Sequence, residues 1–213
     1  MFKYPYKLTR SSRRSVSVTV NCDNTLTVRA PYRYSVAEIE KFLNKKLGWI
    51  ERCFTKNADI NEDLSDVISQ KCVLVGGKKF PLVFGGRNLI GDNFVSVKSL
   101  SGLRKLYTDA LGNEFLNNFN RICRENGFIC NGVSFKDYRS RWGCCDAKKR
   151  IVFNYKLLML PADIQRYVIV HELCHTVHMN HSAEFYALVS SVCSDYKALQ
   201  KRLKSYSVLI RMY

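Results

Sequence analysis

The stretch HELCHTVHMNHS, residues 171–182, holds all four histidines of a 213-residue chain: His171, His175, His178 and His181. Residues four apart on a helix share one face, about 6 Å from each other. His171 and His175 therefore converge on one cation, and neutral imidazole is a natural ligand for zinc. Glu172 points off that axis, placed to act on a water without occupying a coordination position. This is the logic of H-E-x-x-H: two ligands, one general base, and a water whose pKa the cation lowers to about 7.

A third ligand is needed, and two histidines compete for the role. His178 lies about 10.5 Å further up the same helical face at 1.5 Å per residue, so three rings in a line make a poor tetrahedral corner. His181 follows Asn180, a residue that tolerates the left-handed backbone ending a helix. A turn there swings His181 back, and the reading adopted is His171, His175 and His181 around one Zn2+ per chain, with Glu172 as general base. A closed site with His178 as fourth ligand is the competing reading. It leaves a basic nucleic-acid-binding module with a structural metal and no catalysis.

Working outward, Pro161 stands where helices start. Ile164, Tyr167, Val168, Val170, Leu173, Cys174 and Val177 then mark an amphipathic helix running to Met179. Ser182 is placed to cap one last helix carrying Phe185, Leu188, Val189, Val192, Tyr196, Leu199 and Leu203. Upstream, FKDYRSRWGCCDAKKRIVFNY reads as two strands around DAKK, and residues 103–127 as a helix ended by Gly127. KCVLVGGKKFPLVFGGRN is β-like with a turn at Gly-Gly. Residues 35–54 form a helix with a Ser35/Glu38 capping box, followed by an acidic connector, KNADINEDLSD. Residues 6–31 read as a β-hairpin. The order predicts an α+β fold, with a β-rich region over 1–100 carrying one helix and the metal-binding domain over 101–213.

Composition sets the remaining bounds. With 46% hydrophobic residues, 12 Phe and 12 Tyr, the chain buries a core rather than staying disordered. No apolar run approaches the roughly 20 residues that a membrane helix needs. Nine cysteines, an odd number without a Cys-x-x-Cys pair, read as reduced thiols. The first 22 residues are basic and Ser-rich with no acid before Asp23, as in a transit peptide, but SVSVTV alternates like a strand. With no secretion signal, the expected location is cytoplasmic. Lys and Arg exceed Asp and Glu by 34 to 18, and a net charge of +16 favours polyanionic partners.

RSRWGCCDAKKRIVFNYKLLMLPADIQRYVIVHELCHTVHMNHSAEFYALV, residues 139–189, resembles the YgjP-like family of zinc metallopeptidases, relatives of the SprT/Spartan-type minimal proteases. The R-W-G-x-C stretch, Asn154, and the succession H-E-L-x-H, N-H-S and Phe carry the likeness. The opening region, YKLTRSSRRSVSVTV to IEKFLNKKLGWIERC, also looks like the family's. Cys144 stands where the family usually has Ser, and Tyr186 where it often has Trp. The resemblance implies a minimal zincin-like domain with its active-site helix packed on a small sheet. It also implies peptide-bond hydrolysis on protein or peptide substrates, with His171, His175 and His181 as ligands and Glu172 as base. Spartan-type relatives cleave proteins attached to DNA, which makes DNA the candidate polyanion. By analogy, RIVFNY (150–155) is expected to align an extended substrate at the sheet edge. Tyr155, Arg139 and Arg141 are candidate oxyanion stabilisers, and Trp142 is read as a packing residue. The oligomeric state is not written in the residues.

Overall fold

Leu26, Val28 and Ala30 alternate inward along a strand, and around them the N-terminal unit forms. The computed structural model describes residues 2–21 and 24–212, with the side chains of 56 and 59–63 outside the description. Strands β1 (Tyr6–Ser11), β2 (Ser17–Val20) and β3 (Leu26–Pro31) make a sheet with β3 in the centre. The expected hairpin is the antiparallel pair β2–β3, whereas β1 lies parallel to β3 with Leu8 opposite Val28. The tip of that hairpin, Cys22 and Asp23, lies outside the described residues.

Helix α1 (Val36–Lys45) begins on the expected capping box: Ser35 Oγ accepts from the Glu38 amide, and Glu38 accepts from the Ser35 amide at 2.8 Å. Ile39 and Leu43 of α1, with Ile50, close the core against β3. Two expectations fail here. The helix predicted over 35–54 breaks at Lys46, and the polar connector is not a loop but part of α2 (Leu47–Ile68). KNADINEDLSD contains neither Gly nor Pro, and Leu64 and Val67, three residues apart, are both buried.

The chain divides into compact units at Ser65/Asp66, inside α2, rather than near residue 100. The reason is the sheet that follows. Strands β4 (Cys72–Val75) and β5 (Lys78–Phe84) form a hairpin over Gly76 and Gly77, whose φ values of 58° and 84° suit a primed turn. β6 (Leu89–Ile90) pairs antiparallel with β7 (Val95–Val97), which runs parallel to β5. This sheet is tied to later residues: Gly77 N–H donates to the Met159 carbonyl at 2.8 Å, and Tyr107 Oη to the Leu74 carbonyl at 2.6 Å. It folds with the C-terminal unit because its buried polar groups are satisfied there.

Helix α3 (Leu103–Asn126) ends, as expected, on Gly127 with φ 68°. Strands β8 (Val133–Lys136), β9 (Gly143–Cys145) and β10 (Ile151–Asn154) make the third sheet in the order β8-β10-β9. β8 is a strand the sequence reading missed, and it lies parallel to β10. Phe153 of β10 meets Phe115 and Phe119 of α3 edge-on, with ring centroids 5.0 and 5.9 Å apart, and this pins the helix to the sheet. Helix α4 (Ala162–Cys174) is buried nearly all round, against α3, β9 and the helices α5 (Ala183–Val192) and α6 (Tyr196–Ser205). The single last helix expected after Ser182 is thus two. The α5 end is held by Arg166, whose guanidinium donates to the Val192 carbonyl at 2.7 Å.

Candidate active site

Helix α4 carries His171 and Glu172 in its last turn, and His175 is its C-terminal cap. The helix stops a turn earlier than the sequence pattern suggests, leaving Val177 exposed. Thr176 explains the stop. Its hydroxyl donates to the Leu173 carbonyl at 2.7 Å and its amide to the same oxygen at 2.9 Å, in place of continued i→i−4 bonding. Asn180 is not the left-handed residue expected: the described non-glycine residues with positive φ are Asn24, Gln70 and Lys149. The return of the chain is instead made between His175 and Ser182, and Ser182 Oγ accepts from the Phe185 amide to start α5.

That path brings His181 back over the helix. Ligand atoms of His171, His175 and His181 all lie within 4.8 Å of one another, and the Nε2 atoms of His171 and His181 are 3.2 Å apart. A tetrahedral ion with bonds of about 2.0–2.1 Å spaces its ligands by about 3.3 Å, so this pair already has the span of one coordination edge. His175 Nδ1 faces the His178 carbonyl at 3.0 Å, which places the proton on Nδ1 and leaves Nε2 as the donor atom. His178 thus meets the cluster through its backbone, not its ring. Burial, and then the neighbouring His175 and His181, press the His171 pKa down to about 4, and burial lowers that of His175. Both rings are therefore neutral at pH 7, the form a metal needs. Nδ1 of His171 is buried with no partner among the described residues.

Phe185, fully buried, touches all three rings. It stacks on His175 at 4.5 Å and meets His171 and His181 at centroid distances of 5.1 and 4.9 Å. Sequence reasoning placed it in the core of the last helix and gave no sign of this role. Its signals were its place four residues after His181 and its part in the succession that carries the family likeness.

Glu172 is 6% exposed, and burial pushes its carboxyl up to about 8, against an opposing pull from Arg141. Gly143 of β9 lies against it: a Cβ there would fall 2.8 Å from both Glu172 Cγ and Oε1. Around this group is a cavity of about 280 Å³ lined by the three histidines, Glu172, Arg141 and residues 143–145. Of the other sequence candidates, Tyr155 is 2% exposed in the core, Arg139 is exposed, and Arg141 rides over the Tyr138 ring at 5.7 Å. Trp142 is half-buried and lines a neighbouring cavity. RIVFNY does not offer an edge, since β10 is paired on both sides; the edge strands are β8 and β9, and β9 is the one that lines the histidine cavity.

The YgjP-like metallopeptidase domain model matches residues 14–206. This chain belongs to that family. Its members are metallopeptidases, so the chain is a hydrolase of protein or peptide substrates, and the histidine cluster is where one ion fits. Among solved structures, this YgjP-like metallopeptidase is similar to the metallopeptidase zymogen of Pyrococcus abyssi abylysin. The identity is 19% over 42% of this chain and 90% of that one, with a TM-score of 0.39. No curated protein matches it. No helix of its described residues is long and apolar enough to cross a membrane.

Proposed function

We propose that the chain is a zinc-dependent endopeptidase in which His171, His175 and His181 hold the ion and Glu172 is the general base. The observation that carries this reading is the convergence of three imidazole nitrogens within 4.8 Å beside a buried carboxylate. Three imidazole nitrogen donors suit zinc and leave a coordination position open. When bound, zinc supplies Lewis acidity, lowering the pKa of a water to about 7 and polarising a carbonyl.

The residues of the chain do the rest. Glu172, buried and pressed against Gly143, has a carboxylate of fixed direction that takes the proton of the attacking water and delivers it to the leaving amine. Arg141, at the cavity mouth, stands ready to neutralise charge developing on the carbonyl oxygen. Gly143, Cys144 and Cys145 line the cavity and belong to an edge strand, so an extended substrate adds there rather than at 150–155.

The test is elemental mass spectrometry of untagged protein. Near one zinc per chain, lost in His181→Ala and kept in His178→Ala, is the expected result. Glu172→Gln should keep the zinc and lose turnover, and a variant as active as wild type would remove Glu172 from the mechanism. The net charge of +16 favours a second element of the reading, action on DNA-associated proteins in the manner of Spartan-type relatives.

A further inference from the structure

Beside the metal cavity lies a second one, of about 330 Å³, and the two share Arg141, Gly143, His171 and Glu172. Helix periodicity builds its walls. Tyr167, Val168, His171 and Glu172 recur along one face of α4, and Gln200, Leu203, Lys204 and Ser207 recur along α6 and just past its end. Trp142, next in sequence to β9, also lines it. The wall is apolar in Trp142, Val168 and Leu203. The Tyr167 hydroxyl oxygen is engaged by Gln200, which also lines the cavity. A substrate laid along β9 with its carbonyl at the histidines would present a neighbouring side chain to this opening.

The charges select as well. Arg141 and Lys204 both line the cavity, both are exposed, and neither is in an ion pair among the described residues. The carboxylates on the surrounding elements are engaged elsewhere. Asp137 holds Lys156, Asp163 holds Arg202, and Asp195 accepts from the Cys193 thiol. Glu172 is the one carboxylate in the lining, and its task is at the reaction centre.

We propose that this cavity is the specificity pocket of the peptidase: it takes a large apolar or aromatic side chain from a residue next to the scissile bond, and it rejects lysine or arginine there. The inference rests on the metallopeptidase reading of the histidine site.

Binding, rather than turnover, separates the two ideas. The full chain loaded with zinc is titrated calorimetrically with peptide hydroxamates whose side chain next to the chelating group is methyl, benzyl, carboxyethyl or aminobutyl. The benzyl compound should bind at least about ten-fold tighter than the methyl one, because burying a phenyl ring is worth that much or more. The aminobutyl compound should bind weakest. In Leu203→Trp the benzyl-to-methyl ratio should fall towards one as indole fills the cavity. Should that variant not fold, Lys204→Glu, at an exposed position, should raise the affinity of the aminobutyl compound relative to the methyl one. Equal affinities across the series, or preferences untouched by both substitutions, would overturn the pocket. If no hydroxamate binds, the metal reading fails, and the pocket falls with it.

Discussion

Phe185 offers no ligand atom, yet the proposed metal site should depend on it. Its ring touches all three histidines, so removing it frees each of them to turn. Phe185→Ala should lower zinc affinity about 10–100-fold, as loss of an outer-shell support does. It should also cost about 3–5 kcal/mol of stability through the cavity left behind. Chelator competition and denaturant unfolding measure the two effects, and full zinc affinity in the alanine variant would refute the role. Glu172 gives a second residue-scale prediction, for protein stripped of metal. Its folded pKa is raised to about 8 from 4.5, so its stabilising contribution is complete below 4.5 and is lost as pH rises through 8. His171, lowered to about 4 from 6.5, acts in the opposite sense, losing its contribution as pH falls below 6.5. Between pH 6.5 and 8 only the Glu172 term changes of these two, and the metal-free chain should lose about 2 kcal/mol across that window. Denaturant unfolding at the two pH values should show this slope in wild type and its absence in Glu172→Gln.

At the scale of elements, the loop before β9 is the part that brings Arg141, Trp142 and Gly143 to the site, and Asn154 holds it. The fully buried Asn154 amide donates to the carbonyls of Tyr138 at 2.8 Å and Arg141 at 3.0 Å, while its oxygen accepts from the Lys156 amide. Next to it Lys156, 1% exposed, pairs with Asp137 at 2.8 Å and donates to the Ile210 carbonyl at 3.0 Å. Asn154→Ala orphans the two carbonyls and should cost about 1–3 kcal/mol. Because the freed loop lines both cavities while the histidines stand on other elements, the variant should retain its zinc and show a raised KM for peptide. Metal analysis beside steady-state kinetics decides this, and loss of zinc with unchanged KM would contradict it.

For the whole molecule, the excess of cationic residues, 34 against 18, predicts attraction to nucleic acid. Duplex DNA should bind at low salt, and the affinity should fall steeply between about 50 and 200 mM salt as counterions are reclaimed. Fluorescence anisotropy across a salt series tests this, and absence of binding at low salt would dispose of the DNA-associated role. The +16 would then serve solubility alone.

Spacing singled out His171 and His175, because the i, i+4 face of a helix is a local property and His175 stays helical up to the cap; His181 joins them in the structure, though not through the turn expected at Asn180. Local signals also placed the Ser35/Glu38 box, the Gly76-Gly77 turn, the start of α4 after Pro161 and the stop of α3 at Gly127. What failed had causes that residue type and alternation do not carry. The path back to His181 depends on where α4 ends, and that is settled by the Thr176 hydroxyl and the His175–His178 contact, not by Asn180. The 56–66 segment is polar, yet it is helical, with Leu64 buried within it and Val67 buried just after it. A strand motif does not name its partners, so neither the parallel pairs β1–β3 and β8–β10 nor the central place of β10 could be read from alternation alone. The sequence by itself determined the chemistry available at the site, because ligand type and helical spacing are carried by a few adjacent residues. Only the tertiary structure decided what surrounds it, from the Phe185 ring to the loop held by Asn154 and the cavity between α4 and α6, because these join residues that are distant in the chain.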